Sequence, residues 1–340
     1  VIAAPSPTAR AEAADRLAGL ATPAGALGRL GELGVWLASC QGQCPPEVPS
    51  NVRAVIFAGD HGVAAHGVSA YPAAVTPAMV RTFAAGRAGV SALAAANGVS
   101  VRVLDIAVDD DLEGIDPEVQ HFKVRRSSEP LHLRNALTLA ETEQALENGA
   151  IIAAQEIAAG ADLLISGDMG IGNTTPATAL IAASLGLPAA ELTGRGTGID
   201  DAALVAKQEL IQVALDRVKE ADLGPVETLA ALGGADLAAS TGFMVAAARA
   251  GVPVLLDGVI AVACAVMADR IEPGAAAWFA AGHRSTEPAQ TLALDKLGLV
   301  PLLDLGMRLG EGSGAVAAVP VVRAAAAVLR DVALLSELAI

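Results

Sequence analysis

From Ser166 to Pro176 the chain reads Ser-Gly-Asp-Met-Gly-Ile-Gly-Asn-Thr-Thr-Pro. An apolar run feeds a glycine-rich turn, followed by residues that cap helices and a proline suited to a first helical turn. Amides freed at such a helix start hold phosphate or carboxylate. The turn lacks the lysine of a Walker loop and is not a GxGxxG dinucleotide fingerprint; taken alone, it is equally a well-capped structural turn. A second glycine-rich turn runs from Thr193 to Asp200 (TGRGTGID). Lys207 follows about two helical turns later, and it reaches an anion if its face is inward or is a solvated lysine if not. Gly282 to Glu287 (GHRSTE) offers an imidazole, a guanidinium and a hydroxyl. Ser285 either meets a ligand or caps the next helix, although Pro288 stands where a capping box wants Glu or Gln.

A different kind of signal lies at Leu309-Gly310-Glu311-Gly312-Ser313-Gly314, where one carboxylate sits between glycines with no cation within the stretch. A partly desolvated carboxylate has a raised pKa and suits a general base; the same residues also describe a flexible interhelix turn. Asp60-His61 with His66 invites a metal, but the supporting ligands are poor: there is no HExxH, and the chain has 5 histidines. No G-x-S-x-G elbow is present, which disfavours a serine hydrolase. Cys40, Cys44 and Cys264 make neither a disulfide framework nor zinc-finger spacing.

The elements that must hold these groups are short apolar runs ending in polar clusters, glycine-containing in all but the run that ends at Asp109-Asp110. Six are read as strands: Val52 to Ala58, Val101 to Ala107, Leu163 to Ser166, Leu229 to Leu232, Val254 to Leu256 and Ala276 to Ala281. Continuous apolar runs suit buried parallel strands, and open α/β sheets bind ligands at the carboxyl ends of their strands. Helical patterns alternate with them: Pro77 to Asn97, Leu137 to Ala158, Pro176 to Leu185, Asp200 to Glu220, Asp236 to Ala250 and Val259 to Asp269. Glu113 to Leu133 has little periodicity and reads as a loop or a short extra element. Helices are also expected at the ends of the chain, over Ala9 to Leu20, Ala24 to Cys40, Glu287 to Leu297, Leu302 to Leu309 and Ala315 to Leu335. The expected fold is therefore α/β, a Rossmann-like parallel sheet flanked by helices. Residues 50–285 form a large substrate-binding domain, and residues 1–49 with 286–340 form a small helical subdomain.

The chain of 340 residues is 53% hydrophobic but 2% aromatic, so its core must be built from Ala, Val, Leu and Ile. A net charge of −15 and a pI near 4.7 argue against nucleic acid, because phosphate backbones select basic surfaces. A small anionic substrate stays compatible, since glycine-rich amides bind phosphate locally. No apolar stretch is both long and free of Gly, Pro and charge, and Val1 to Pro5 lacks a signal-peptide pattern, so a cytoplasmic protein with no membrane partner is expected.

Taken together, seven stretches resemble the nicotinate-nucleotide:dimethylbenzimidazole phosphoribosyltransferase family of cobalamin nucleotide-loop assembly. They are GDHGVAAHGVSAYP from Gly59, GDMGIGNTT from Gly167, GRGTGID from Gly194, LGGADLAASTGF from Leu232, PVLLDGVIA from Pro253, GHRSTE from Gly282 and PLLDLGMRLGEGSG from Pro301. The resemblance implies transfer of the 5-phosphoribosyl group of nicotinate mononucleotide to 5,6-dimethylbenzimidazole, giving α-ribazole 5′-phosphate and nicotinate with inversion at the anomeric carbon. It implies Glu311 as the general base. Gly170, Gly172, Asn173 and Thr174 would cradle the nucleotide, Lys207 and Ser285 would meet its phosphate, and Asp168 and Gly258 would line the ribose and nicotinate region. Ser69, Tyr71, Met169 and Leu309 would form the benzimidazole pocket. No cofactor and no metal are implied, because nicotinate leaves in place of diphosphate. A homodimer is implied, the small domain of one subunit closing the active site of the other. Asp168 stands where many relatives carry Glu, and Ala73, Ala74, Pro77 and Ala78 occupy a region often richer in Gln and Glu. The competing readings are another nucleotide-dependent transferase or a nucleosidase that uses water in place of the base, and a non-catalytic sensor that binds benzimidazole or nucleotide.

Overall fold

The computed structural model describes residues 1–338; the last two residues of the expected small subdomain, Ala339 and Ile340, lie outside the described residues. In chain order the elements are α1 (Pro7–Gly19), α2 (Gly28–Gln41), β1 (Val52–Gly59), α3 (Val75–Ala84), α4 (Gly89–Asn97), β2 (Val99–Ala107), α5 (Leu139–Ala158) and β3 (Leu163–Met169). There follow α6 (Thr174–Leu185), α7 (Ala189–Leu192), α8 (Asp201–Val218), α9 (Pro225–Leu232), α10 (Ala235–Arg249), β4 (Val254–Leu256), α11 (Val259–Ile271), β5 (Phe279–Ala281), α12 (Pro288–Leu297) and α13 (Ser313–Asp331).

The five strands make one parallel sheet in the order β2-β1-β3-β4-β5. Alternate residues of each strand point to opposite faces, and both faces are covered. Val52, Ala54 and Ile56 of β1 join Ile165 and Leu255 in a core shared with α2, α3, α4 and α13. Val55 and Phe57 join Leu164 and Leu256 in a larger core with α5, α6, α10 and α11. The α/β sheet with helical layers is as expected, but one of the six expected strands is absent. Leu229 to Leu232 is the last turn of α9, fully buried; a short buried apolar run does not distinguish strand from helix, and Gly224-Pro225 was the start signal.

Three further boundaries differ. The expected helix Pro77 to Asn97 breaks into α3 and α4 at Gly86, which takes φ +66°. Leu302 to Leu309 is not helical. Its chain lies extended beyond β5, with the Leu302 N–H donating to Ala281 O and the Leu303 N–H to Gly282 O. Pro301 just before it and Gly306 within it, at φ +65°, favour that course. Of Ala276 to Ala281, only Phe279–Ala281 is strand, preceded by a 3₁₀ turn over Ala275–Trp278. Pro117–Gln120 adds one such turn to the expected loop at Glu113 to Leu133.

The terminal helices meet: α2 packs on both α1 and α13, with Ala13, Val35, Ala38 and Leu329 in a small core of their own. α13 also runs beneath the sheet, and α12 lies against α11 and α6. By length and composition α13 would suit a bilayer, yet 56% of its most apolar window is buried within the protein and it contains Pro320 and Arg323.

α5 and α10 form the most extensive helix pair. A Cβ on Gly149 would lie 1.9 Å from Ala239 O, and one on Gly242 would lie 2.0 Å from Leu146 O, so the two backbones touch through reciprocal glycines. Gly149→Ala and Gly242→Ala should each lower stability by about 1–3 kcal/mol, read from the urea midpoint. As neighbours in one interface, the two effects should not simply add.

Candidate active site

Five chain segments deliver polar groups to the carboxyl ends of the strands. β1 ends at Gly59, where the register with β2 shifts, and leads into Asp60-His61; β3 ends at Asp168-Met169; β4 leads into Asp257-Gly258; β5 leads into Gly282-His283; and the Gly310–Ser313 turn folds over them. Between them is a cavity of about 370 Å³. Glu311 and all the residues expected to bind nucleotide or benzimidazole line it, except Lys207. A larger cavity of about 520 Å³ lies between α6 and α8, away from every one of these groups.

The glycine loop after β3 is held by close backbone contact. A Cβ on Gly170 would sit 2.0 Å from Gly59 O, and Gly172 has φ +88°. The Ile171 N–H donates to Thr76 Oγ1 at 3.0 Å, and Asn173 Nδ2 donates to Asp168 Oδ1 at 2.6 Å. Lys207 lies directly behind this loop, 1% exposed, with Nζ 2.7 Å from Thr174 Oγ1 and 3.2 Å from Gly194 O. Burial pushes its pKa down to about 8, against the pull of Glu287. Its face is inward, so the two glycine-rich turns meet around one buried ammonium.

Ser285 is buried at the cavity wall; its Oγ accepts from the Glu287 N–H at 3.4 Å and does not cap α12. Arg284 turns away toward Asp304, at 3.6 Å. Ser69 Oγ lies 3.1 Å from Thr197 Oγ1, which ties the acceptor stretch to the second glycine turn. Tyr71 and Leu309 sit at the mouth, 56% and 54% exposed. Ala73, Ala74, Pro77 and Ala78 do not line the cavity; Val75 and Met79, one turn apart on α3, do. His61 is paired with Asp236 at 2.9 Å, and His66 stacks edge-on against His132.

The sequence places Glu311 away from any strand, and the fold brings it back. Asp257, just beyond β4, accepts three backbone N–H bonds from the start of α13: Gly312 at 3.1 Å, Gly314 at 2.7 Å and Ala315 at 3.1 Å. Gly310, Glu311 and Gly312 all take positive φ, +77°, +64° and +82°. Glu311 O presses on β3 so closely that a Cβ on Gly167 would approach it to 2.6 Å. The Glu311 side chain is 5% exposed, and its Oε2 accepts from the Val90 N–H of α4 at 3.0 Å. Burial raises its pKa, the Val90 bond partly offsets this, and the Asp257 charge adds to the rise. Oε1 accepts no hydrogen bond among the described residues. The site therefore pairs an anion cradle backed by a buried lysine with one uncommitted, hydrogen-bond-oriented carboxylate, the equipment for moving a phosphorylated group to a protonated acceptor.

Four contributors were not singled out from the sequence: Asp257, Glu287, Thr197 and Asp236. Asp257 had a signal, since it ends an apolar run beside Gly258; the others act through partners distant in sequence.

A family model described as phosphoribosyltransferase matches residues 2–340. The nicotinate-nucleotide–dimethylbenzimidazole phosphoribosyltransferase of Mycobacterium avium (strain 104) is 51% identical over 336 residues, covering 99% of this chain and 96% of that protein. The protein of the same name from Mycobacterium tuberculosis (strain ATCC 25618 / H37Rv) is 49% identical over 336 residues, covering 99% and 92%. The crystal structure of CobT from Thermus thermophilus superposes with a TM-score of 0.93 at 43% identity, covering 97% of this chain and 98% of that one.

Two outcomes follow from the geometry. Asp257→Ala removes the acceptor for three amides and should cost about 0.5–2 kcal/mol in thermal or denaturant unfolding, as a lost helix cap does. Sulfate keeps its charge across the titration of Lys207, whose lowered pKa leaves it a cation below about pH 8 and neutral above. Calorimetry should therefore show sulfate binding holding up to that pH and weakening beyond it, whereas Lys207→Met should bind weakly throughout with no such break.

Proposed function

The chain belongs to the nicotinate-nucleotide–dimethylbenzimidazole phosphoribosyltransferase family, and from that premise we propose that it transfers the 5-phosphoribosyl group of nicotinate mononucleotide to 5,6-dimethylbenzimidazole, with inversion at the anomeric carbon and Glu311 as general base. The observation that carries this reading is the Glu311 carboxylate, held by Val90 at one oxygen and uncommitted at the other, inside the cavity that the glycine cradle lines. Gly170, Gly172, Asn173 and Thr174 hold the nucleotide, with Lys207 and Ser285 at its phosphate and Asp168 and Gly258 along the ribose and nicotinate. Ser69, Tyr71, Met169 and Leu309 surround the benzimidazole.

In the transfer, Glu311 takes the proton from one benzimidazole nitrogen while the other nitrogen attacks the anomeric carbon. The bond from that carbon to the pyridinium nitrogen breaks, and its electron pair neutralises the ring. Nicotinate leaves without needing a proton, so one base suffices. Attack from the face opposite the leaving group converts the β-glycoside to the α. A raised pKa at Glu311 suits the task, because a base works best when its pKa is near the operating pH.

Residues 50–285 serve as the substrate-binding domain and the terminal segments, 1–49 and 286–340, as the small helical subdomain, which the contacts of α2 with α1 and α13 support. The exposed apolar side chains of Tyr71 and Leu309 at the cavity mouth favour a homodimer in which a neighbouring subunit covers the site. The enzyme acts in the cytoplasm, on small molecules and not on nucleic acid or membranes.

Purified protein given nicotinate mononucleotide and dimethylbenzimidazole should release nicotinate and form α-ribazole 5′-phosphate; release of nicotinate without the base would mark a hydrolase instead. Glu311→Gln should bind both substrates in calorimetry yet turn over about 10²-fold or more slowly, the usual loss for a removed general base. Undiminished turnover would remove Glu311 from the mechanism.

A further inference from the structure

Beneath the glycine cradle lies a cluster of which the proposed transfer uses only Asp168, at the cavity wall. His61 and Asp236 are each 1% exposed at the side chain, and Asp168 is buried between them and the cavity. A carboxylate only accepts, so the 2.9 Å contact from His61 Nε2 to Asp236 Oδ2 places a proton on that nitrogen. Asn173 donates its amide to Asp168 Oδ1. One oxygen of each carboxyl is then left: Asp168 Oδ2 and Asp236 Oδ1 are both fully buried and without a donor among the described residues. Asp236 lies close enough to act on the Asp168 carboxyl. Two neighbouring buried carboxyls, each with one oxygen lacking a donor, are costly as a pair of anions, and one proton between them would satisfy both.

We propose that Asp168 works as a neutral carboxylic acid, donating its proton to Asp236 while its other oxygen receives the Asn173 amide, so that a chain from His61 through Asp236 and Asp168 fixes Asn173 in the cradle from below. Asp168 and His61 are then positioning residues. The chemistry at the anomeric carbon is left to Glu311. Burial first, and then the charge of Asp236, hold the Asp168 pKa well above the ordinary carboxylate range. Burial alone would lower the His61 pKa, but the Asp236 carboxylate and the hydrogen bond it accepts outweigh that, so the net direction for the imidazole is upward. The titratable groups around it are Asp60 after β1, Asp168 on β3, Asp236 on α10 and the Cys264 thiol on α11; Cys264 is itself pushed up to about 12 by its burial, with Asp168 and Asp236 adding to the rise. Gly59 and Gly234 permit the closeness: a Cβ at either would stand within 3.0 Å of an Asp236 side-chain atom.

The inference rests on the nucleotide reading only for what Asn173 holds, and the decisive readout does not involve the nucleotide. The infrared spectrum of the intact protein at neutral pH should contain a protonated-carboxyl C=O band that shifts in D₂O and is lost in Asp168→Asn. Absence of the band, or its persistence in that variant, overturns the proposal. Asparagine can still donate to Asp236 and accept from Asn173, and alanine can do neither. Nicotinate mononucleotide should therefore bind at least about tenfold more weakly to Asp168→Ala than to Asp168→Asn, with Glu311 intact in both. Equal loss in the two variants would mean that Asp168 is needed as an anion, contrary to the proposal. Failure of the wild-type protein to bind the nucleotide, with the band present, would remove the nucleotide reading and leave the hydrogen-bonded chain standing.

Discussion

The geometry of this site hangs on one carboxylate that never touches the proposed reaction. Asp257 stands at the end of β4 and gathers the amides of Gly312, Gly314 and Ala315 at the start of α13. Its negative charge sits where the helix dipole is positive, and its two oxygens satisfy donors that a helix start otherwise leaves bare. The turn before the helix must then approach the sheet edge. It does so with three successive residues in the left-handed region, one of them Glu311, where a non-glycine residue costs on the order of 1–2 kcal/mol. The clamp offsets that strain and converts a flexible-looking loop into a fixed one. α13 lies buried under the sheet, so Glu311 takes its position from the sheet itself.

Two opposite electrostatic problems are solved within that frame. Lys207 is buried behind the glycine cradle without a direct carboxylate partner among the described residues; it is satisfied by Thr174 Oγ1 and Gly194 O, and its pKa falls. Glu311 is buried with one amide donor and a like charge nearby, and its pKa rises. Each group is thereby left ready for a ligand: the lysine for an anion that stabilises its desolvated charge, the glutamate for a proton. A chain with net charge −15 can bind an anionic nucleotide here because amides and one desolvated cation act at short range, where overall charge matters little.

The sheet, most helices and the location of the cradle are legible in the sequence because each rests on local pattern: continuous apolar runs, glycine turns and cap residues. Leu229 to Leu232 reads as a strand because a buried four-residue apolar run carries no period of its own. Leu302 to Leu309 reads as a helix, yet its backbone is claimed by Ala281 and Gly282, partners about twenty residues earlier. The site residues carried over from the family stretches gather in one cavity, with Lys207 at its back, but the sequence does not say what holds them. Asp257 capping a helix more than fifty residues later, His61 paired across the sheet with Asp236, and Val90 meeting Glu311 are all long-range contacts, invisible to spacing. The inward turn of Val75 and Met79, in place of the neighbouring alanines, depends on where α3 begins.

Glu311, fixed by the Asp257 clamp and with its pKa raised by burial, is the group proposed to carry the proton in the transfer. The pH dependence of kcat with both substrates saturating reports groups in the substrate complex and so reads this carboxyl itself. Turnover should fall on the acid side with a midpoint above the ordinary glutamate range, and this limb should disappear from the residual activity of Glu311→Gln. A limb of the same midpoint persisting in that variant would take the proton transfer away from Glu311.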